Sequence, residues 1–146
     1  MTAMVVAITR DEARVWHRGL AKGSDPLRLE RPSEAGQHHK THQAQKHRGH
    51  DTDHKDPRFF EDVASRIADA TEILVVGHGD GKGDYKDSFL AHLEHKHPAV
   101  AARVVGNVDS DLNALTENQI LSIARDWFEA YHHWGFASDD PWVRHW

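Results

Sequence analysis

The chain has 146 residues, a formal net charge of -5 and no cysteine. Its length suits one domain with a hydrophobic core, and the lack of cysteine excludes disulfides, thiolate metal sites and a cysteine nucleophile. The negative charge argues against the whole molecule attracting nucleic acid. The N-terminus has no basic stretch before its apolar run, and no run reaches the length of a membrane span. We therefore expect a cytoplasmic protein without membrane contact.

The first thirty residues predict an antiparallel meander of three strands, at 4–8, 13–17 and 27–30, separated by turn residues. Alternation in the third strand predicts that Leu27 and Leu29 point inward. The segment 31–55 that follows has almost no large apolar residue, which is typical of a functional or disordered loop.

A helix is predicted from Asp56, as an acidic N-cap followed by proline, to about residue 70. The run 73–76 is apolar on both faces and is followed by a glycine-rich loop, 77–84, a polar helix, 85–95, and a second apolar run, 104–108. This order predicts a parallel βαβ unit whose sheet is covered on both faces. The crossover helix is expected to bury Phe89, Leu90 and Leu93.

The last helix begins at a predicted capping box of Thr116 and Gln119, flanked by a hydrophobic staple, and is expected to end before His132. Trp16 and Trp127 are interpreted as core residues. Beyond the domain, assigned to 1–135, the tail 136–146 is aromatic. We expect the aromatic residues in this tail and just before it to fold back over the sheet or to form a homodimer contact. Stacking on nucleic-acid bases is an alternative. These residues are Trp134, Phe136, Trp142 and Trp146.

The predicted architecture is α/β, a ribonuclease H-like mixed sheet of about five strands packed with three helices. Residues 73–115 resemble the middle domain of archaeal and eukaryotic class-one peptide-chain release factors and of Pelota. The resemblance rests on the glycine loop with Lys82 and on the strand ending at Asp109-Ser110-Asp111-Leu112. Bacterial single-domain relatives, the "host attachment" group, are similar in their short Asp-Leu segment. The resemblance implies the same ribonuclease H-like fold and a partner in translation, tRNA or the ribosome.

In release factors, the loop before the first long helix carries Gly-Gly-Gln. The corresponding segment here, 31–55, lacks that tripeptide; the nearest strings are Ala35-Gly36-Gln37 and residues 46–50. This absence argues against peptide release and favours a non-enzymatic role.

The glycine loop is a candidate anion site, because it precedes a helix N-terminus with free N–H groups. Its candidate residues are Gly77, Gly79, Gly81 and Lys82. The glycine spacing fits neither the Walker pattern nor the dinucleotide-binding fingerprint. A tight strand-to-helix turn, in which glycine supplies a positive φ, is therefore the favoured alternative. Four carboxylates should also gather at this edge of the sheet: Asp80, Asp84, Asp109 and Asp111. Helix capping is favoured for them over two-metal hydrolysis, since the first strand has no acidic residue.

Six of the 14 histidines lie in the segment 31–55: His38, His39, His42, His47, His50 and His54. Their four-residue spacings suggest a metal site of His38, His42, His50 and His54, with adventitious zinc or nickel as the expected occupant and no dedicated cofactor. The basic residues of the same region favour RNA phosphate contact: Lys40, Lys46, Arg48, Lys55 and Arg58. Binding to tRNA or ribosomal RNA is the main hypothesis. A metal-binding loop protein and an ester or phosphodiester hydrolase are the alternatives.

Overall fold

The computed structural model of the protein describes residues 2–31, 57–78 and 85–134. Within these ranges five strands form one mixed sheet in the order β3-β2-β1-β4-β5. The strands are β1 (Ala3–Ile8), β2 (Glu12–Trp16), β3 (Leu27–Glu30), β4 (Glu72–Gly77) and β5 (Val104–Asp109). β1 pairs antiparallel with β2, and β2 with β3, whereas β4 runs parallel to both β1 and β5. The predicted meander followed by a parallel βαβ unit is confirmed.

The sheet is covered by helices on both faces. They are α1 (Pro57–Ile67), α2 (Tyr85–Lys96), the single turn α3 (Pro98–Ala101) and α4 (Glu117–Trp134), with a 3-10 turn at Leu112–Ala114. The three predicted helices correspond to α1, α2 and α4, and the ribonuclease H-like α/β class is confirmed. α4 continues to Trp134, past the predicted end, because neither glycine nor proline occurs before Gly135.

Alternate residues of β4 enter two separate cores, which explains why its whole apolar run is buried. Ile73 and Val75 pack under α1 and α2, in the cluster that contains Phe60 and Phe89. Leu74 and Val76 pack under α4, in the cluster of the second face. Side chains of a strand alternate between faces, so a strand covered on both sides needs no polar position.

The second core contains the two tryptophans that were predicted to be buried. Trp16 is fully buried, and Trp127 lies over β5 with its ring against Gly106. A Cβ at Gly106 would lie 2.2 Å from Cζ2 of Trp127, so glycine is what lets the indole reach the sheet.

The N-terminus of α4 has the predicted capping box. The backbone N–H of Gln119 donates to Oγ1 of Thr116 at 3.1 Å, and the backbone N–H of Thr116 donates to Oε1 of Gln119 at 2.8 Å. Leu115 packs with Ile120 in the same core, as a staple requires. For α1, by contrast, the predicted cap Asp56 lies outside the described residues. No helix in the described ranges is long and apolar enough to cross a membrane.

Candidate functional site at the carboxyl edge of the sheet

Three parallel strands end side by side. Ile8 of β1 pairs with Gly77 of β4, and Gly77 pairs with Asp109 of β5. The antiparallel β3 ends at the same level, where the backbone N–H of Arg31 donates to the carbonyl of Asp11 at 2.8 Å. We call this row of strand ends the carboxyl edge. The segment 31–55 starts from it at Arg31, and the glycine loop, 77–84, starts from it at Gly77.

A buried lysine lies beneath this edge. The side chain of Lys86, in the first turn of α2, is only 3% exposed. Its ammonium group donates to Oδ1 of Asp109 at 2.8 Å, to Oδ1 of Asn107 at 2.9 Å and to Oδ1 of Asp87 at 3.2 Å. A lysine has three N–H donors, so all of them are used by protein acceptors.

The environment of Lys86 favours its charged form. Burial by itself lowers the pKa of Lys86, but the hydrogen bonds and negative charges of Asp109 and Asp87 outweigh it and raise the pKa above 10.5. Lys86 is therefore a fixed structural cation at neutral pH. Its bonds join the start of α2 to the end of β5 across the top of the sheet.

Gly77 makes the approach of this lysine possible. A Cβ at residue 77 would lie 2.9 Å from Cβ of Lys86 and 3.1 Å from the carbonyl oxygen of Ile8. The backbone of Gly77 is not in the left-handed region, so glycine is required here by space and not by a positive φ. A tight turn that needs glycine for a positive φ, the favoured alternative for the loop, therefore does not explain Gly77.

The two described carboxylates of the predicted acidic group have structural partners. Asp109 is bonded to Lys86, and its side chain is 65% exposed. Asp111 caps the 3-10 turn by accepting from the backbone N–H of Asn113 at 3.1 Å. Nε2 of His78 lies 3.7 Å from Oδ1 of Asp111. Capping, the favoured alternative for these aspartates, therefore describes Asp111 well.

The structure brings together only part of the predicted site residues. Asp109 and Gly77 meet at the carboxyl edge, with Asp111 just beyond it, and Arg58 is exposed in the first turn of α1. The remaining candidates lie outside the described residues, and their roles stay predictions. They are His38, Lys40, His42, Lys46, Arg48, His50, His54, Lys55, Gly79, Asp80, Gly81, Lys82 and Asp84, together with the aromatic tail.

A second polar cluster was not anticipated from the sequence. Oε2 of Glu61 on α1 lies 2.7 Å from Nε2 of His92 on α2 and 2.8 Å from Nε2 of His97, between α2 and α3. Hydrogen bonds from His97 and from His92 lower the pKa of the Glu61 carboxyl below its ordinary value. We call these three residues the helix-face cluster.

The sequence carries a signal for the burial of Lys86 but none for the meeting of His92 and His97. Lys86 lies three and seven residues before Phe89 and Leu93, so it belongs to the apolar stripe of α2. His92 and His97 are five residues apart, a spacing that matches no single helical face. The bend that joins them belongs to the tertiary structure.

The fold and the carboxyl edge define a ribonuclease H-like α/β domain in which a buried lysine joins the start of α2 to the end of β5. No family model matches the chain. It is 30% identical over 71 residues to glucan endo-1,3-beta-D-glucosidase 2 of Saccharomyces cerevisiae, a match over 46% of this chain and 9% of the yeast protein. It is also similar to the Pelota structure of Archaeoglobus fulgidus, with a TM-score of 0.42, 17% identity and coverage of 90% of this chain and 36% of that one. The chain thus spans a small part of the yeast protein and about a third of the archaeal one.

Proposed function

We propose that this protein is a non-enzymatic RNA-binding component of the translation machinery, and that it contacts tRNA or ribosomal RNA through the segment 31–55. The observation that supports this proposal is the position of Arg31. Its hydrogen bond to Asp11 fixes the start of the segment at the carboxyl edge. In open α/β sheets this edge is where ligands are accommodated.

The composition of the segment supplies the charge. It contains five lysines and arginines against three carboxylates, although the whole chain has a net charge of -5. The basic residues are Arg31, Lys40, Lys46, Arg48 and Lys55. Arg58, exposed at the start of α1, extends this charge beyond the segment. When lysines and arginines bind RNA phosphates, they release condensed counterions, and this release is the main source of sequence-independent affinity for RNA. The histidines add positive charge below about pH 6.5.

The described part of the edge favours binding over hydrolysis. Asp109, at the end of β5, is held by the ammonium group of Lys86. β1 ends in Ala7-Ile8 and carries no acidic residue, whereas two-metal phosphodiester cleavage needs carboxylates from neighbouring strands. Lys86 itself has no donor left for a phosphate. We therefore assign the binding charge to the segment 31–55 and to Arg58, and not to Lys86.

The test is co-sedimentation of the purified, tag-free protein with ribosomes and, separately, with bulk tRNA across a salt series. The variant Lys40→Ala/Lys46→Ala/Arg48→Ala removes three of the proposed phosphate contacts. We expect much weaker binding. We also expect the slope of the logarithm of the binding constant against the logarithm of salt concentration to be shallower by about 2.

A matched control removes the same charge from another part of the surface. The variant Arg18→Ala/Lys22→Ala/Lys96→Ala changes three exposed cations of the described residues and leaves the segment intact. We expect it to bind as the wild type does. Equal losses in the two triple variants would mean that only net charge matters. Absence of binding by the wild type to both RNAs would refute the proposal.

A further inference from the structure

The helix-face cluster gathers three ligand-type atoms at one point of the surface. The Nε2 atoms of His92 and His97 and Oε2 of Glu61 lie within 4.8 Å of one another. Glu61 is 48% exposed at its side chain, whereas His92 is 10% exposed and packs its ring against Phe60 at a centroid distance of 5.4 Å. A half-exposed carboxylate therefore faces the nearly buried ring of His92 and the partly exposed ring of His97.

A break in the chain brings the two histidines together. On a continuous helix, residues five apart point about 140° away from each other. Here α2 ends at Lys96, because Pro98 disfavours helical backbone in the residue before it. His97 has φ -139° and ψ 63°, its N–H donates to Leu93 at 2.7 Å, and its carbonyl accepts from Val100 and Ala101. The backbone of His97 is thus fixed at a bend that turns its ring towards His92, with ring centroids 5.9 Å apart.

The donor set suits a particular class of ion. Two imidazoles and one carboxylate are ligands of zinc sites that keep an open position, and of other first-row transition metals. Magnesium and calcium prefer oxygen ligands, so they fit poorly. Tetrahedral ligands at zinc distances lie about 3.3 Å from one another. An outward movement of the exposed Glu61 carboxylate of about half an ångström would reach that separation from the present 2.7–2.8 Å.

We infer that Glu61, His92 and His97 form a binding site for a divalent transition-metal ion of the zinc class, shared between α1 and α2. Each imidazole binds through Nε2 and keeps its proton on Nδ1. The remaining coordination position faces solvent beside Glu61 and is open to water or to a further ligand. The ion would link the two helices at a point where hydrogen bonds through Glu61 link them now. This inference uses no residue of the segment 31–55 and does not rest on the proposed function.

The experiment uses the full chain in a background where the histidines of the segment 31–55 are replaced by glutamine, so that their metal binding does not mask the site. The replaced residues are His38, His39, His42, His47, His50 and His54. After chelation and removal of the chelator, zinc is titrated by calorimetry and cobalt by visible absorption. We expect one ion per chain, a cobalt spectrum of low coordination number, and a melting temperature that rises on addition of zinc.

Two variants test the ligands without disturbing the core. Glu61→Gln and His97→Gln change exposed or half-exposed side chains, and each should weaken zinc binding more than about tenfold, the lower bound for loss of an outer-shell partner. Glu94→Gln and His95→Gln, exposed on α2, the helix of His92, are the matched controls and should bind as the background does. Circular dichroism of the metal-free proteins confirms that each variant folds.

Three results would overturn the inference. They are the absence of binding in the background protein, binding that Glu61→Gln and His97→Gln leave unchanged, and losses of equal size in the controls. The second result would identify the bound metal as an adventitious ion elsewhere on the surface. The first would leave the helix-face cluster as an ion-pair contact between two helices.

Discussion

The ammonium group of Lys86 lies 2.8 Å from a carboxylate oxygen of Asp109, and the two residues differ greatly in exposure. The lysine side chain is 3% exposed and the aspartate side chain is 65% exposed. The pair therefore has a buried cation and a solvated anion. Loss of the anion leaves a charge inside the protein, whereas loss of the cation leaves a carboxylate that water can solvate.

This asymmetry predicts unequal costs for the two partners. Lys86→Met keeps the packing against Gly77 and removes the buried charge, and we expect it to lower the free energy of unfolding by less than about 1 kcal/mol. Asp109→Ala leaves the ammonium group with Asn107 and Asp87 alone and should cost about 2 kcal/mol. Urea unfolding at neutral pH measures both values. Equal costs, or a larger cost for Lys86→Met, would contradict the asymmetry.

Alkaline pH should remove the contribution of Lys86. Because its folded pKa is raised above 10.5 by Asp109 and Asp87 despite burial, the stabilisation is complete below pH 10.5 and is lost as pH rises through the folded value. The difference in free energy of unfolding between the wild type and Lys86→Met should therefore stay constant up to about pH 10 and then shrink. Other alkaline titrations occur in both proteins and cancel in the difference. A stability difference that already decreases near neutral pH would rule out a raised pKa of Lys86.

Gly106 should not tolerate a side chain. The ring of Trp127 lies where the Cβ would be, and a rigid indole inside a packed core has little room to move, so Gly106→Ala should cost about 1–3 kcal/mol. In the double variant Gly106→Ala/Trp127→Phe, the smaller ring frees part of that space. We expect the double variant to be less destabilised than the sum of the single variants. Additive losses measured by thermal unfolding would exclude a direct clash.

Glu117, at the start of α4, joins this helix to the antiparallel strands β2 and β3. Its Oε2 accepts from Arg14 of β2 at 3.2 Å and from Arg28 of β3 at 2.6 Å. The Arg14 side chain is nearly buried, whereas that of Arg28 is half exposed. Glu117→Ala therefore leaves a buried guanidinium group with Glu12 as its remaining carboxylate neighbour, and should cost about 1–3 kcal/mol.

The matched control for this prediction is Arg28→Ala. It removes the exposed partner of Glu117 and keeps the buried one, and exposed ion pairs contribute little, so we expect a loss within about 0.5 kcal/mol. Chemical unfolding at low and high salt separates the two cases further. The effect of Arg28→Ala should nearly vanish at high salt, while that of Glu117→Ala should persist. A large, salt-independent loss for Arg28→Ala would reverse this assignment.

The elements of this fold were predictable from local sequence patterns. The run 73–76 is apolar throughout, which indicates a strand covered on both faces, and the structure places it in both cores. The pair Thr116 and Gln119 forms the capping box that its three-residue spacing predicts. Such features depend on residues a few positions apart, so the physical cause of the structure can be seen in a short window.

The sequence by itself determined the order of the strands and helices, the two buried tryptophans and the ribonuclease H-like class. Tertiary structure alone decided that Lys86 meets Asn107 and Asp109, because that contact depends on the register of β4 with β5 and on the space left by Gly77. It also decided that Glu61 meets two histidines more than thirty residues away in sequence. The physical reason is that both groups join residues of different elements. Strand register and helix packing set the distances around Lys86, and helix packing with the bend at His97 sets those around Glu61, so no short window of the sequence contains both partners.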